Sequence, residues 1–153
     1  VLTRPKHPRG QSLVEFALAF PLFILILMGL LDIGRAVYAF NTVSNASRES
    51  VRVAIVNQTT SDIEAEALKQ AVSLGITDSE VDIAYAGTGD CTDGAPLPVG
   101  CIVAVTVRYP YTPATPIIGQ LIDPFDITST TEMPIERTCP DPSNAALITC
   151  PWP

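Results

Sequence analysis

Few residues of this 153-residue chain could do covalent or proton chemistry, and their spacing narrows what that chemistry is. Four cysteines fall in two couples, Cys91 with Cys101 around a Gly/Pro/Asp-rich segment and Cys139 with Cys150 around a Pro/Asn-rich tail. Four cysteines allow three pairings, which sequence alone leaves open; nearest-neighbour pairing is favoured because each couple then closes a loop of turn-forming residues. A disulfide around so short a loop is worth about 2–3 kcal/mol in the chain-entropy model. Zinc competes poorly, because there is no CxxC spacing and the sole histidine, His7, lies in a basic N-terminal stretch. The reading is two disulfides, an oxidising compartment and no metal. Asp90, Asp93 and Gly94 lack the spacing of a calcium loop and read as a solvated acidic turn. The glycosylation-type triplets Asn45-Ala46-Ser47 and Asn57-Gln58-Thr59 fall in or beside a predicted helix and carry little weight. No G-x-S-x-G, S-x-x-K or phosphate-cradling glycine loop occurs. The expectation is therefore no catalytic residue, no cofactor, no small-molecule substrate and no enzyme.

The remaining titratable group of interest is Glu15, the only charge between Gly10 and Asp32. It opens an apolar run, Leu13 to Leu31, of 19 residues. As a helix this run spans about 28 Å at ~1.5 Å per residue, close to the ~30 Å hydrocarbon core of a bilayer. Residues 1–10 hold Arg4, Lys6 and Arg9 and no acid, which places the N-terminus on the cytoplasmic side and the chain beyond about Asp32 outside. Beyond Gly10, six basic residues face 16 acidic ones, a balance of −10. An exterior so acidic argues against nucleic acid and against adhesion of the outer domain to anionic lipid. The apolar run is longer than the h-region of a secretory signal, and no A-x-A site closes it.

The elements that carry these groups follow from periodicity. Past Asp32 the pattern turns amphipathic without a breaker: Ile33, Ala36, Val37, Phe40, Val43, Ser47, Val51, Ala54 and Ile55 recur at three- and four-residue steps. One helix from about Ser12 to Val56 results, with Pro21 removing a hydrogen bond and kinking its lipid half. Ser61 serves as N-cap of a second helix, with Glu64 at the third helical position, running about Asp62 to Leu74 and stopping at Gly75. The period then changes to two in Val81–Tyr85, Val103–Tyr109 and Phe125–Met133, an antiparallel meander with one face covered by the amphipathic part of the long helix. Pro110 to Pro124 reads as a loop, and Thr138 to Pro153 as an irregular stapled tail. The fold class is α+β. Its parts are a long N-terminal helix (a transmembrane half and an amphipathic half), a small three-stranded antiparallel sheet, a short second helix and disulfide-stapled loops. The segments expected are 1–10 leader, 11–32 transmembrane and assembly helix, 33–137 extracytoplasmic domain and 138–153 Cys-stapled tail.

The stretch Arg9-Gly10-Gln11-Ser12-Leu13-Val14-Glu15-Phe16-Ala17-Leu18-Ala19-Phe20-Pro21 resembles the N-terminus of TadE-like pilins of the tight-adherence (Flp) type IV pilus system. So do Gly29-Leu30-Leu31-Asp32-Ile33-Gly34-Arg35-Ala36 and Asn45-Ala46-Ser47-Arg48-Glu49-Ser50-Val51-Arg52. The resemblance covers residues 9–56 well and 100–137 loosely; the two cysteine loops have no family motif behind them. It implies cleavage by a prepilin peptidase between Gly10 and Gln11, leaving Glu15 fifth in the mature chain. Glu15 would then pair with the new amine of Gln11 on a neighbouring subunit, and Gly29 and Gly34 would permit close helix approach. A ten-residue leader opening on Val1 is short for that pattern and implies a truncated start or a non-ATG start read as valine. The implied function is a structural pilin or pseudopilin, held in the bacterial inner membrane with its N-terminus in the cytoplasm and assembled with other pilin subunits into a cell-surface filament. Its partners are membrane lipid, the peptidase and those subunits. The alternative is a monomeric, N-terminally anchored surface-binding domain using the Pro-rich loops and Trp152.

Overall fold

The computed structural model describes residues 10–87, 91, 97–115, 123–140 and 150. The basic leader through Arg9, the turn holding Asp90, Asp93 and Gly94, and Trp152 lie outside the described residues. The elements are α1 (Gln11–Ala54), α2 (Thr60–Gln70), two short 3₁₀ turns (Val72–Leu74 and Asp78–Glu80), β1 (Val81–Ala86), β2 (Ile102–Tyr111) and β3 (Phe125–Pro134). The chain divides into two compact units, Val1–Arg35 with Thr112–Pro124, and Ala36–Tyr111 with Phe125–Pro153.

The second unit contains the sheet, of order β1-β2-β3 and antiparallel throughout. Alternation sets its covered face. Val81, Ile83 and Tyr85 stand opposite Val107, Val105 and Val103, and on the other side Ser129, Thr131 and Met133 stand opposite the same three valines. Val103, Val105 and Val107 are fully buried, as expected for a central strand whose β-branched side chains meet a helix. They form one core with Val43, Ala46, Val51 and Ala54 of α1 and with Ile63 and Ala67 of α2.

The sequence stripe chosen for the covering helix is only half right. Ile33, Val37 and Phe40 are 54–63% exposed. The buried seam instead runs through Ala39, Val43, Ala46, Ser47, Ser50, Val51 and Ala54. Five of those seven are alanine or serine, whose short side chains let the helix backbone come close to the strands. Ser50 returns its hydroxyl proton to the Ala46 carbonyl at 2.6 Å, and Ser47 Oγ lies 3.1 Å from Ser129 Oγ and 3.0 Å from Thr131 Oγ1. The hydroxyls are thereby satisfied without solvent.

Two further differences from the sequence reading concern ends. Ser61 lies inside α2, whose N-cap is Thr59 and makes no side-chain capping bond. The turn is closed by Asn57: its Oδ1 accepts the Thr59 N–H at 2.9 Å, and its Nδ2 donates to Asp62 Oδ2 at 2.7 Å. The expected loop from Pro110 begins two residues later, since β2 continues to Tyr111, with Pro110 opposite Asp126. Proline is tolerated there because β1 pairs β2 only as far as Val107, so nothing on that side requires the missing N–H.

Both disulfides belong to this unit and join nearest neighbours, Cys91 to Cys101 and Cys139 to Cys150. Gly87, at φ +150°, ends β1 under the first of them; a Cβ at Gly87 would sit 2.8 Å from Cys91 Sγ. The segment after β3 closes onto the end of α1. Glu136 and Arg137 N–H groups donate to the Ile55 carbonyl at 3.0 and 3.1 Å, and Gln58 completes the closure. Its Nε2 donates to the carbonyls of Ala54 (2.8 Å) and Arg137 (3.0 Å), its Oε1 accepts the Cys139 N–H (2.7 Å), and its own N–H donates to the Cys139 carbonyl (2.7 Å). Gln58 is buried, so truncation strands the Cys139 N–H and the Arg137 carbonyl away from water. Gln58→Ala should lower unfolding stability by about 2–4 kcal/mol, read by urea denaturation of the detergent-solubilised chain, whereas the exposed Thr60→Ala should change it by less than about 0.5 kcal/mol.

Candidate assembly helix and its aspartate latch

The first unit is built on α1 up to Arg35. Helical hydrogen bonding starts at Gly10, whose carbonyl accepts the Val14 N–H at 3.3 Å. Gly10 and Gln11 are exposed, and a Cβ at Gly10 would meet nothing within 4 Å. Glu15 lies one turn beyond Gln11, exposed on the same face.

Along the run that follows, apolar side chains are exposed on every side of the helix. Leu13, Phe16, Leu18, Leu22, Phe23, Ile26 and Leu30 are each 60–75% exposed. A helix that is apolar all round is stable in water only when buried. Here just 6% of the most apolar 18-residue window is covered by the chain itself. By length and composition it is one helix able to cross a membrane. Phe16 and Phe20 stack one turn apart with ring centroids at 5.4 Å.

Pro21 lies inside α1, which remains helical through it. Its absent N–H leaves the Ala17 carbonyl without its usual partner, a vacancy that lipid cannot fill. Gly34 is exposed with no atom within 4 Å of where a Cβ would stand, and Gly29 is half-buried. Among the described residues, nothing comes into close contact at Gly34. Phe20, Pro21, Ile24, Leu25 and Met28 form one wall of an open apolar groove of about 700 Å³, bordered also by Leu22 and Thr115.

The residue that sequence reasoning passed over is Asp32. It ends the apolar run and is 6% exposed. Its Oδ1 accepts the Ala114 N–H and its Oδ2 the Thr115 N–H, both at 2.9 Å, and Arg35 Nη1 stands 3.6 Å from Oδ1. One carboxylate thus grips two successive backbone amides of the connection after β2, the charge-assisted geometry that makes such bonds strong. A signal existed in Leu31-Asp32-Ile33-Gly34-Arg35, an acid with a base one turn later at the edge of a greasy helix. Its partners, however, are backbone groups with no side-chain signature.

Residues 10–52 match the family model of TadE-like proteins. The TadE-like segment thus begins at Gly10 and takes in Glu15, the apolar run, Asp32 and most of the buried seam of α1. TadE-like proteins are a Tad pilus-associated family, and the match covers 43 of the 153 residues. Comparisons with curated proteins and with solved structures return no match. The cysteine pairs and the three strands lie outside the TadE-like segment. Among the described residues, no three His, Cys, Asp or Glu side chains gather as metal ligands.

Asp32→Ala in the detergent-solubilised chain should accelerate amide exchange at Ala114 and Thr115 by roughly ten- to a hundred-fold, the loss of hydrogen bonds to a charged acceptor worth about 1.5–3 kcal/mol. Exchange at Val103, Val105 and Val107 should stay unchanged in the same experiment.

Proposed function

We infer that this chain is a pilin or pseudopilin of a Tad/Flp-type filament. In this reading it is processed by a prepilin peptidase between Gly10 and Gln11 and assembled through its apolar helix with other pilin subunits. The observation that carries the inference is the uncovered apolar run with a lone carboxylate at its start, inside the segment that matches the TadE-like family. A lone membrane anchor has no use for Glu15, whose ionised form costs about 2.5–3.5 kcal/mol at a bilayer centre and less near the edge. Beside the amine freed on Gln11 of a neighbour, that cost is offset by a close ion pair, so the charge favours the assembled register over the isolated helix. Gly34, open on the single chain, is where a neighbouring helix can approach closely, and Gly29 serves the same purpose one and a half turns earlier. Pro21 frees a carbonyl that neighbouring subunits can re-satisfy.

In this reading residues 11–32 span the inner membrane, the leader 1–10 stays cytoplasmic, and 33–137 with the stapled tail 138–153 lie outside. The filament core is made of the helices and its surface of the disulfide-closed domains. The disulfides agree with an oxidising exterior.

Co-expressed with an active prepilin peptidase, the native protein should begin at Gln11 by N-terminal sequencing. A leader left intact there would favour the anchored binding domain instead. Glu15→Val should insert into membranes at wild-type levels yet fall to background in the sheared filament fraction; normal incorporation would refute the charge pairing.

A further inference from the structure

The connection after β2 has a property that neither assembly nor domain stability requires. From Tyr109 to Ile122 it carries no charged side chain, in a chain with 16 acids and 9 bases. Its first residues are held at a defined height on α1. Asp32, which follows the last apolar residue Leu31, accepts the Ala114 and Thr115 amides at 2.9 Å each. Thr115 is buried and borders the groove walled by Leu25 and Met28. Met28 precedes Asp32 by four residues, about 6 Å along the axis at ~1.5 Å per residue. The chain at Thr115 therefore runs alongside the apolar segment and stands at the level where α1 leaves lipid.

Irregular backbone is normally excluded from lipid because its N–H groups find no acceptor there. Across residues 113–115 that objection is removed. Pro113 has no N–H. The other two amides, those of Ala114 and Thr115, are both taken by Asp32. No backbone donor in this three-residue stretch is left to hydrate. Its carbonyls still seek water or headgroups, which fixes the depth at the interfacial layer and not in the hydrocarbon. Arg35, 3.6 Å from Asp32 and half exposed, can extend its guanidinium toward the headgroups while its stem lies along apolar surface.

We propose that residues 113–115, latched to Asp32, form a second membrane contact that lies in the lipid interface beside α1. It gives the chain a second point of attachment at the bilayer surface beside the helix. The inference rests on α1 crossing the bilayer, and the experiment separates the two claims.

The full chain, disulfides intact, is labelled with an environment-sensitive fluorophore at a single introduced cysteine. It is then reconstituted into phosphatidylethanolamine–phosphatidylglycerol vesicles doped with spin-labelled lipid. Leu22→Cys reports the span, Asp82→Cys on β1 reports water, and Ala114→Cys reports the contact. Residue 114 should give blue-shifted emission, quenched more by a spin label near the headgroup than by one at the chain end. Residue 22 should be quenched most by the deep label, and residue 82 by neither. Adding Asp32→Ala should move the residue 114 emission to the residue 82 value, while Asp32→Asn, which keeps one acceptor, should fall between. Quenching at 22 with a water-like, unquenched 114 overturns the proposal and leaves the spanning helix intact. Absence of quenching at 22 overturns the spanning helix itself. A residue 114 signal that appears only in assembled filaments assigns the surface to a neighbouring subunit and overturns the lipid contact.

Discussion

The constraint on which this molecule turns is that one uninterrupted helix must satisfy two incompatible surroundings. From Leu13 to Leu31 α1 is apolar and largely uncovered by the described chain; from Ala39 to Ala54 one narrow face is buried against the sheet and the others meet water. A helix has no hinge residue by default, so the change of environment is written entirely in side-chain size and polarity. Large apolar groups dominate the first stretch, and alanine, serine and valine line the seam in the second. The sheet answers with three valines on its central strand and small hydroxyls on β3, leaving Ser47 to bond Ser129 and Thr131.

Two buried polar side chains make the closures that packing alone leaves undone. Asp32 gathers the connection after β2 within the first unit. Gln58 gathers the segment after β3 within the second. Each reaches backbone groups, which do not depend on the identity of the residues being held. That allows the connecting segments to vary in sequence while the attachment persists, provided the acceptor and donor side chains stay in place.

How much of this could be read in advance depended on periodicity. The long helix, the three alternating strands and their covered face repeat with periods of 3.6 or 2 and were legible to within a residue or two. Nearest-neighbour cysteine pairing was favoured in the sequence, though not fixed by it, because turn-forming residues fill each intervening segment. The phase of the amphipathic stripe was misread because a count of large apolar residues favours Ile33, Val37 and Phe40, whereas close helix–sheet approach selects Ala39, Ala46 and Ser50. Ser61 was a plausible cap by residue type, yet Asn57 closes that turn from outside the helix. Asp32 and Gln58 were invisible because their partners lie 79–83 positions away and are peptide groups.

That separation along the chain has a temporal meaning. The end of α1 is closed by residues just past the last strand, so a nascent chain keeps that wall unfinished until those residues have been made. Non-local closure of this kind is slow to form. The apolar stem is thus made long before the segment that completes the packing of the second unit.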